Sequence, residues 1–531
     1  MLCQSINLKM NILILGSGGR EHALAYKIKK SSWCEKLYIG PGNAGTRLEG
    51  ENVKLSILDF PAIANFITEN NIGVLVVGPE TPSVHGIYDY FIQNPNYKNL
   101  IVVSPSQAGA MLEGSKSYAK EFMIENKIPT ASYLEVNASN IEAGIEFLKS
   151  LKPPYVLKAD GLAEGKGVVI LNELEPTIKE LRNFIIDKKF GTSSEKVVIE
   201  KFLDGIEFSI FVYTDGIQYQ LLPNAKDYKR IGEGNTGLNT GGMGCISPVP
   251  FVNEALMQKV ISEIINPTIE GLKKRNIAYN GFIYFGLMLV DHQPYVIEYN
   301  TRLGDPEAEV ILPRMKSDLL ELMILGSKQQ IHKINVEIDE RACCTVMLVS
   351  GGYPESYDKG KLIEFKSELK DSKIFYAGAQ YENGQYFTNG GRVLAVTSFG
   401  NTIKNALSKS YENINHIHFE KKYFRRDIGF EFKEEKYSWL KDSIYLGTFI
   451  SLVVSLLMFC FIYFFTNYGA FRVILELNPS LIPKVLTLCI IPNVGTFFGA
   501  LNLNKLKLAR GIVFGMFIMG AIMMYYWFLY S

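Results

Sequence analysis

The sequence predicts a multidomain chain of mixed α/β and α+β class that ends in about three transmembrane helices. Three observations carry that reading. Over residues 11–110, apolar strand-like runs alternate with helical segments, and glycine and proline cluster just after each strand, as in a parallel sheet. Over 111–330, long strand-like runs mixed with helices imply antiparallel α+β structure, and over 331–430 the strands are short and the turns frequent. From Ile444 the character changes: "IYLGTFISLVVSLLMFCFIYFF" is uncharged and long enough to cross a bilayer. A chain of 531 residues is too long for one core, and three or four domains are expected.

Composition excludes several classes. A formal net charge of +1 and a charged fraction of 21%, without a basic run or basic–aromatic interleaving, give no nucleic-acid footprint. The seven cysteines form no C-x-x-C pair and no metal-ligand spacing, so they read as buried thiols in a reducing compartment. The opening "MLCQSINLK" lacks the apolar core of a signal peptide, and Met10 directly precedes the first strand, so residues 1–9 read as an optional extension.

The first element is a strand, a glycine loop and an amphipathic helix, "LILGSGGREHALAYKIK", residues 13–29. Gly16, Gly18, Gly19 and Arg20 fit a dinucleotide fingerprint loosely, but Glu21 stands where its third glycine belongs. The second strand, "KLYIG", ends in "PGNAG" (Gly42, Asn43, Gly45) rather than in an acid that would hold a ribose, so no nicotinamide or flavin is expected. In "YVLKADGLAEGKGVVI", residues 155–170, a strand places Lys158 near a loop containing Gly165, Lys166 and Gly167. Lysines around a glycine-rich loop can cover nucleotide phosphates, although this is no Walker A loop. Glu200 ends the apolar strand of "VVIEKFLDGIEFSI", and Glu207 follows in the next; strand-end carboxylates of this kind can accept from an adenine amino group or ribose hydroxyls.

Residues 224–250 carry Asp227, Lys229 and Arg230 ahead of a glycine-rich stretch, which implies a closely approaching ligand or backbone. In "PYVIEYNTRLGDPEAEV", alternation along a strand puts Glu298 and Asn300 on one face. Both offer oxygen donors, which suits Mg²⁺ bridging nucleotide phosphates. Arg302 continues the alternation and can grip an anion in bidentate fashion. Farther on, "ENGQ" between strand-like runs reads as a hairpin turn.

Together these motifs resemble the phosphoribosylamine–glycine ligases, or glycinamide ribonucleotide synthetases, of the ATP-grasp superfamily. The resemblance covers about Met10–Gly429 and rests on "GSGGREHALA", "PGNAGT", "VVGPE", "LEGSK", "KADGLAEGKGV", "NTGGMG", "RLGDPE", "GGYPESYDKG" and "GGRVLAV", in that order. It implies a Rossmann-like N-terminal substrate domain (10–110), an ATP-grasp domain (111–330) and a small C-terminal α/β domain (331–430), followed by the membrane region (444–531). The implied activity is ATP-dependent ligation of glycine to 5-phosphoribosylamine in de novo purine synthesis, through a glycyl phosphate. By motif, Lys116, Lys158 and the loop Gly165–Gly167 would hold ATP phosphates, and Glu200 and Glu207 the adenosine. Glu298 and Asn300 would bind Mg²⁺ or Mn²⁺. Lys158 and Arg302 are the implied catalytic residues. Arg302, with Arg20 and the glycine loops 16–19 and 42–45, would face glycine and phosphoribosylamine, and Asp227 and Arg230 would join them. The opening loop then reads as a cradle for a single phosphate at a helix start. Glu164 departs from the family's usual small residue in the loop over the phosphates.

The tail also departs from this family, which ordinarily ends near Gly429. Spans are expected at about 444–466, 481–501 and 511–530. Basic residues before the first (Lys433, Lys436, Lys441) and before the last (Lys505, Lys507, Arg510) put the catalytic part in the cytoplasm, anchored to the inner membrane. The sequence leaves the oligomeric state open, a monomer being one reading. A second reading stays open here, a membrane-anchored nucleotide sensor or scaffold that retains an ATP-grasp body. The intact set Lys158, Glu298, Asn300 and Arg302 favours the enzyme.

Overall fold

The computed structural model describes residues 9–161, 167–432, 443–466, 487–503 and 505–530, with isolated positions between 473 and 484. The chain divides into two compact units, Met1–Lys433 and Glu434–Ser531.

The first unit is organised by a nine-stranded sheet. Strands Met10–Gly16, Cys34–Pro41, Ile72–Val77 and Ile101–Pro105 form its parallel half. Ile12–Leu15 and Val74–Val76 are wholly buried, as strands covered on both faces require. Tyr279–Val290 then pairs antiparallel with Ile101–Pro105 through Tyr279 and Asn280. The remainder of this long strand pairs with Ile206–Thr214 on one side and Gln293–Asn300 on the other. One sheet thus runs through the first two sequence regions.

A separate antiparallel sheet, Tyr133–Asn137, Lys196–Lys201, Tyr155–Ala159 and Val168–Leu171, is covered by helices Ile141–Ser150 and Leu174–Ile185. It carries Lys158 and Glu200 on neighbouring strands. A third sheet gathers Lys226–Asp227 and Gly244–Ser247 with Ala342–Val349, Arg392–Gly400 and Ser372–Tyr376. The "ENGQ" turn forms as expected. Ala379–Glu382 pairs with Gln385–Thr388, and Asn383 and Gly384 both have positive φ, as a two-residue hairpin loop requires.

In the second unit, Ile444–Thr466 and Leu506–Tyr525 are long and apolar enough to cross a membrane. The middle segment differs from the expected span 481–501. Its described helix, Leu488–Asn502, is shorter than the roughly 20 residues a crossing needs, and the α-helical part opens with Pro492 in its first turn, where a missing N–H costs nothing. The rest of that span lies partly outside the described residues. The last helix starts at Leu506 rather than Gly511, so Lys507 and Arg510 fall in its first turns. The long helices pack in parallel: Gly447 abuts the Leu508 carbonyl, Gly511 that of Ile444, and Gly515 the Ser451 side chain. Thr448 donates to the Gly511 carbonyl at 3.1 Å, and buried Asn493 donates to Ser455 Oγ at 2.8 Å. Small residues and interhelical hydrogen bonds are how helices associate where water is absent.

Candidate active site

A cavity of about 460 Å³ lies between the four-stranded sheet and the strands Tyr279–Val290 and Gln293–Asn300. At one end, Lys158 Nζ meets Glu200 Oε1 at 2.9 Å, and Lys120 Nζ reaches the same oxygen at 3.3 Å. All three side chains are buried. Burial works to raise the Glu200 pKa, but Lys158 and Lys120 outweigh it and keep the carboxylate ionised. Lys120 pays the reverse penalty, since burial brings it down to about 8. Lys116, on the same helix one turn earlier, is also lowered by burial and donates to the Gly161 carbonyl at 3.1 Å. Two of these three cations are therefore uncompensated by Glu200, which suits a polyphosphate.

Glu298 and Asn300 both line the cavity, as the strand alternation predicts. Burial opposes ionisation of Glu298, but Lys229, Lys158 and Lys116 prevail and lower its pKa. Lys229 lies 3.9 Å from Glu298 and pairs directly with Glu207. Arg302, just past the strand, is clamped by Glu80 at 3.2 Å and Glu113 at 2.7 Å. These carboxylates raise its pKa against the lowering effect of burial. Arg20 donates to the Leu303 carbonyl at 3.3 Å, which brings the first loop to the same wall.

The sequence-derived candidates therefore fall into three groups. Arg20, Lys116, Lys158, Gly167, Glu200, Asp227, Glu298, Asn300 and Arg302 line the cavity. Gly16, Gly18, Gly19, Gly42, Asn43, Gly45, Glu207 and Arg230 do not. Gly165 and Lys166 lie outside the described residues.

The second group has its own physical account. The Gly18 N–H donates to Glu21 Oε2 at 2.6 Å and the Arg20 N–H to Asp305 Oδ2 at 3.2 Å, so these loop amides already have carboxylate acceptors. A side chain at Gly16 would strike Glu21 and one at Gly19 would strike Glu309, so both positions need glycine for packing. Glu21 thus fills space that a dinucleotide loop would leave open. Asn43 donates to the Ser17 and Tyr376 carbonyls at 2.8 and 2.7 Å and accepts from Gly45 at 2.8 Å, tying the first loop to the C-terminal third. Arg230 donates to the Gly237 carbonyl at 2.8 Å.

Lys120, Glu80, Glu113, Lys229, Arg392 and Glu307 line the cavity but were not among the sequence candidates. Signals existed for some. Lys120 is one helical turn from Lys116, Lys229 alternates with Asp227, and Glu80, Glu113 and Arg392 lie inside "VVGPE", "LEGSK" and "GGRVLAV".

An antiparallel four-stranded sheet facing a lysine-lined cavity with an acid–amide pair is the arrangement of an ATP-grasp enzyme. Models of the phosphoribosylglycinamide synthetase N domain, ATP-grasp (A) domain and C domain match residues 10–113, 114–308 and 343–431. The chain belongs to the phosphoribosylglycinamide synthetase family. It is 41% identical to the phosphoribosylamine–glycine ligase of Haemophilus influenzae over 432 residues, covering 80% of this chain and 99% of that one. It is also 41% identical to the Yersinia pestis ligase, covering 79% and 98%. The crystal structure of the Thermotoga maritima ligase is similar at 37% identity with a TM-score of 0.69, covering 78% of this chain and 99% of that one. The biotin carboxylase domain of Hydrogenobacter thermophilus 2-oxoglutarate carboxylase shares the fold alone, at 13% identity and a TM-score of 0.60, covering 78% and 92%.

Proposed function

We propose that this chain ligates glycine to 5-phosphoribosylamine at the expense of ATP, giving glycinamide ribonucleotide, ADP and phosphate in de novo purine synthesis. The observation that carries this reading is one cavity holding lysines for phosphates, an acid–amide pair and a clamped arginine. It lies in a body that spans nearly the whole length of ligases about 40% identical to it.

In this reading Lys116 and Lys158 bind the ATP phosphates, Gly165, Lys166 and Gly167 close over them, and Glu200 and Glu207 face the adenosine. The excess positive charge around Glu200 offsets phosphate charge before any substrate moves, so little reorganisation is needed during transfer. Glu298 and Asn300 fit a divalent ion. Both line the cavity and carry oxygen donors, and one carboxylate with few further protein ligands is how Mg²⁺ is held beside substrate phosphates. Bound there, Mg²⁺ or Mn²⁺ would supply neutralisation of the β- and γ-phosphate charge. Arg302, fixed by Glu80 and Glu113, positions the glycine carboxylate for attack on the γ-phosphate. Arg20 and Asp227 bind phosphoribosylamine, whose amine then displaces phosphate from glycyl phosphate.

The tail anchors this body to the inner membrane, with the catalytic part in the cytoplasm. Two helices of sufficient length and parallel packing support the anchor.

The test uses full-length protein in detergent. ADP forms only when both glycine and phosphoribosylamine are present. Glycine-independent hydrolysis, or no turnover by folded protein, counts against the ligase. Glu298→Ala abolishes metal-dependent turnover, and an unchanged metal titration would remove Glu298 from the metal site.

A further inference from the structure

Nearly every charged group in the cavity has a partner. Lys158 and Lys120 hold Glu200, Glu80 and Glu113 hold Arg302, Glu207 holds Lys229, and Arg392 meets Asp305 at 3.0 Å. Glu307 and Asp227 are exceptions. Glu307 is only 4% exposed and lines the cavity, and its carboxylate accepts from its own backbone N–H rather than from a cationic side chain among the described residues. It is also rigidly placed. The Glu307 carbonyl accepts from Val310 and Ile311 at 3.0 Å, so the residue heads the helix Ala308–Arg314. The carboxylate folds back over Gly304, where any side chain would strike it. Glycine at 304 thus reserves the space that the carboxylate occupies.

A buried, fixed carboxylate inside a substrate cavity with no cation paired to it costs stability, and such groups persist where chemistry uses them. We propose that Glu307 is the general base of the second half-reaction, taking the proton that the amine of phosphoribosylamine sheds as it attacks glycyl phosphate. The proposal rests on the ligase reading above. In that step the amine nitrogen forms a bond to the glycyl carbonyl carbon, and the bond from that carbon to the phosphate oxygen breaks. Phosphate leaves with the electron pair, and one proton passes from nitrogen to a Glu307 oxygen, from which the departing phosphate collects it. No further reactant is needed.

The surroundings of Glu307 suit this work. Burial raises its proton affinity and the neighbouring Asp227 raises it further, while Lys229 and Arg302 oppose the rise. Tyr284, Cys245 and Arg392 also feel its charge from the elements around it. A base is most effective when its pKa lies near the working pH, and an ordinary exposed glutamate is too weak. Asp227 is less suited, because Lys229, two residues along the chain, is the main charge acting on it and works against the rise that burial causes. Asp305 is committed to Arg392 and the Arg20 amide.

The experiment separates the two half-reactions in full-length protein in detergent. Glycyl phosphate is trapped with hydroxylamine, a nucleophile already unprotonated at neutral pH, and amide formation is measured separately with phosphoribosylamine. Glu307→Gln is expected to retain most glycine-dependent hydroxamate formation while amide formation falls by about 10²–10⁴-fold. The rising limb in the pH profile of the amide step disappears with it. Glu307→Asp, which keeps a carboxylate one methylene short, recovers part of the amide rate and part of the limb. Equal loss of hydroxamate and amide in Glu307→Gln with no recovery in Glu307→Asp, or an unaltered amide rate, overturns the assignment. If the wild-type protein forms neither product, the ligase reading itself fails and the base falls with it.

Discussion

Lys120 tests how the nucleotide end of the cavity is charged. Lys158 alone satisfies Glu200 at 2.9 Å, whereas Lys120 stands at 3.3 Å and carries a charge that the fold does not need. Burial lowers its pKa from 10.5 to about 8. That gap corresponds to about 3 kcal/mol of unfavourable charge burial in the folded state. Lys120→Met keeps the length of the side chain and removes the charge. Glu200 retains Lys158, and Thr130, which accepts from Lys120 at 2.7 Å, still donates to the Val296 carbonyl at 2.8 Å. The variant should therefore be more stable than wild type at pH 7, by up to about 3 kcal/mol. It should also bind ATP about 10–100-fold more weakly, because a hydrogen bond to a charged group contributes about 1.5–3 kcal/mol.

The sign of the pH dependence follows from linkage. Below pH 8 Lys120 is protonated in both states and the full penalty applies. Between about 8 and 10.5 the unfolded chain keeps the proton that the folded chain has released, so wild-type stability rises through that window relative to the variant. Lys27, also lowered to about 8 by burial, contributes equally to both proteins, and only their difference reports on Lys120. Urea unfolding followed by circular dichroism at several pH values, with ATP affinity by calorimetry, measures both effects. A variant less stable than wild type at pH 7, or a stability difference that stays constant from pH 8 to 10.5, would refute the reasoning.

Other substitutions probe the rest of the cavity and the tail. Arg302→Lys cannot reproduce a planar grip on both Glu80 and Glu113, so a buried carboxylate loses its partner. We expect a loss of about 3–5 kcal/mol in unfolding free energy with turnover reduced at least tenfold, and near-normal kinetics would show the clamp to be dispensable. Gly19→Ala places a methyl group against the Glu309 carboxylate and should cost about 1–3 kcal/mol in the same unfolding assay, whereas wild-type stability would mean that Glu309 moves aside freely. In cell fractionation, the full-length chain should sediment with membranes and be released by detergent but not by high salt. A chain ending at Phe432 should stay soluble, and recovery of the full-length chain in the soluble fraction would argue against the anchor.

Much of the site was legible because it rests on local periodicity. Strand alternation in "PYVIEYN" places Glu298 and Asn300 on one cavity wall, and "ENGQ" specifies its hairpin through two residues of positive φ. Apolar runs such as Ile12–Leu15 announce strands buried on both faces. The opening loop depends on more than its local sequence. Its glycines suggest a phosphate cradle, but Gly16 and Gly19 make room for Glu21 and Glu309, and the Gly18 and Arg20 amides bond carboxylates. Sequence spacing cannot tell a glycine that admits a ligand from one that admits a side chain arriving from elsewhere in the fold.

By itself, then, the sequence determined the order of strands and helices, the acid–amide pair and the apolar tail, since each depends on neighbours a few residues away. Tertiary structure alone decided which charges meet. Arg302 finds Glu80 across 222 residues, Tyr279 joins two sequence regions into one sheet by pairing with Pro105, and Glu307 is buried in the cavity beside Asp227. The tail shows the same division, because its hydropathy marks the helices while only their packing shows that Ile444–Thr466 and Leu506–Tyr530 run parallel. The physical reason is common to all four. Periodicity fixes the face on which a side chain lies, whereas its partner is set by how distant elements pack, and low dielectric around buried charges makes that partner decisive for their chemistry.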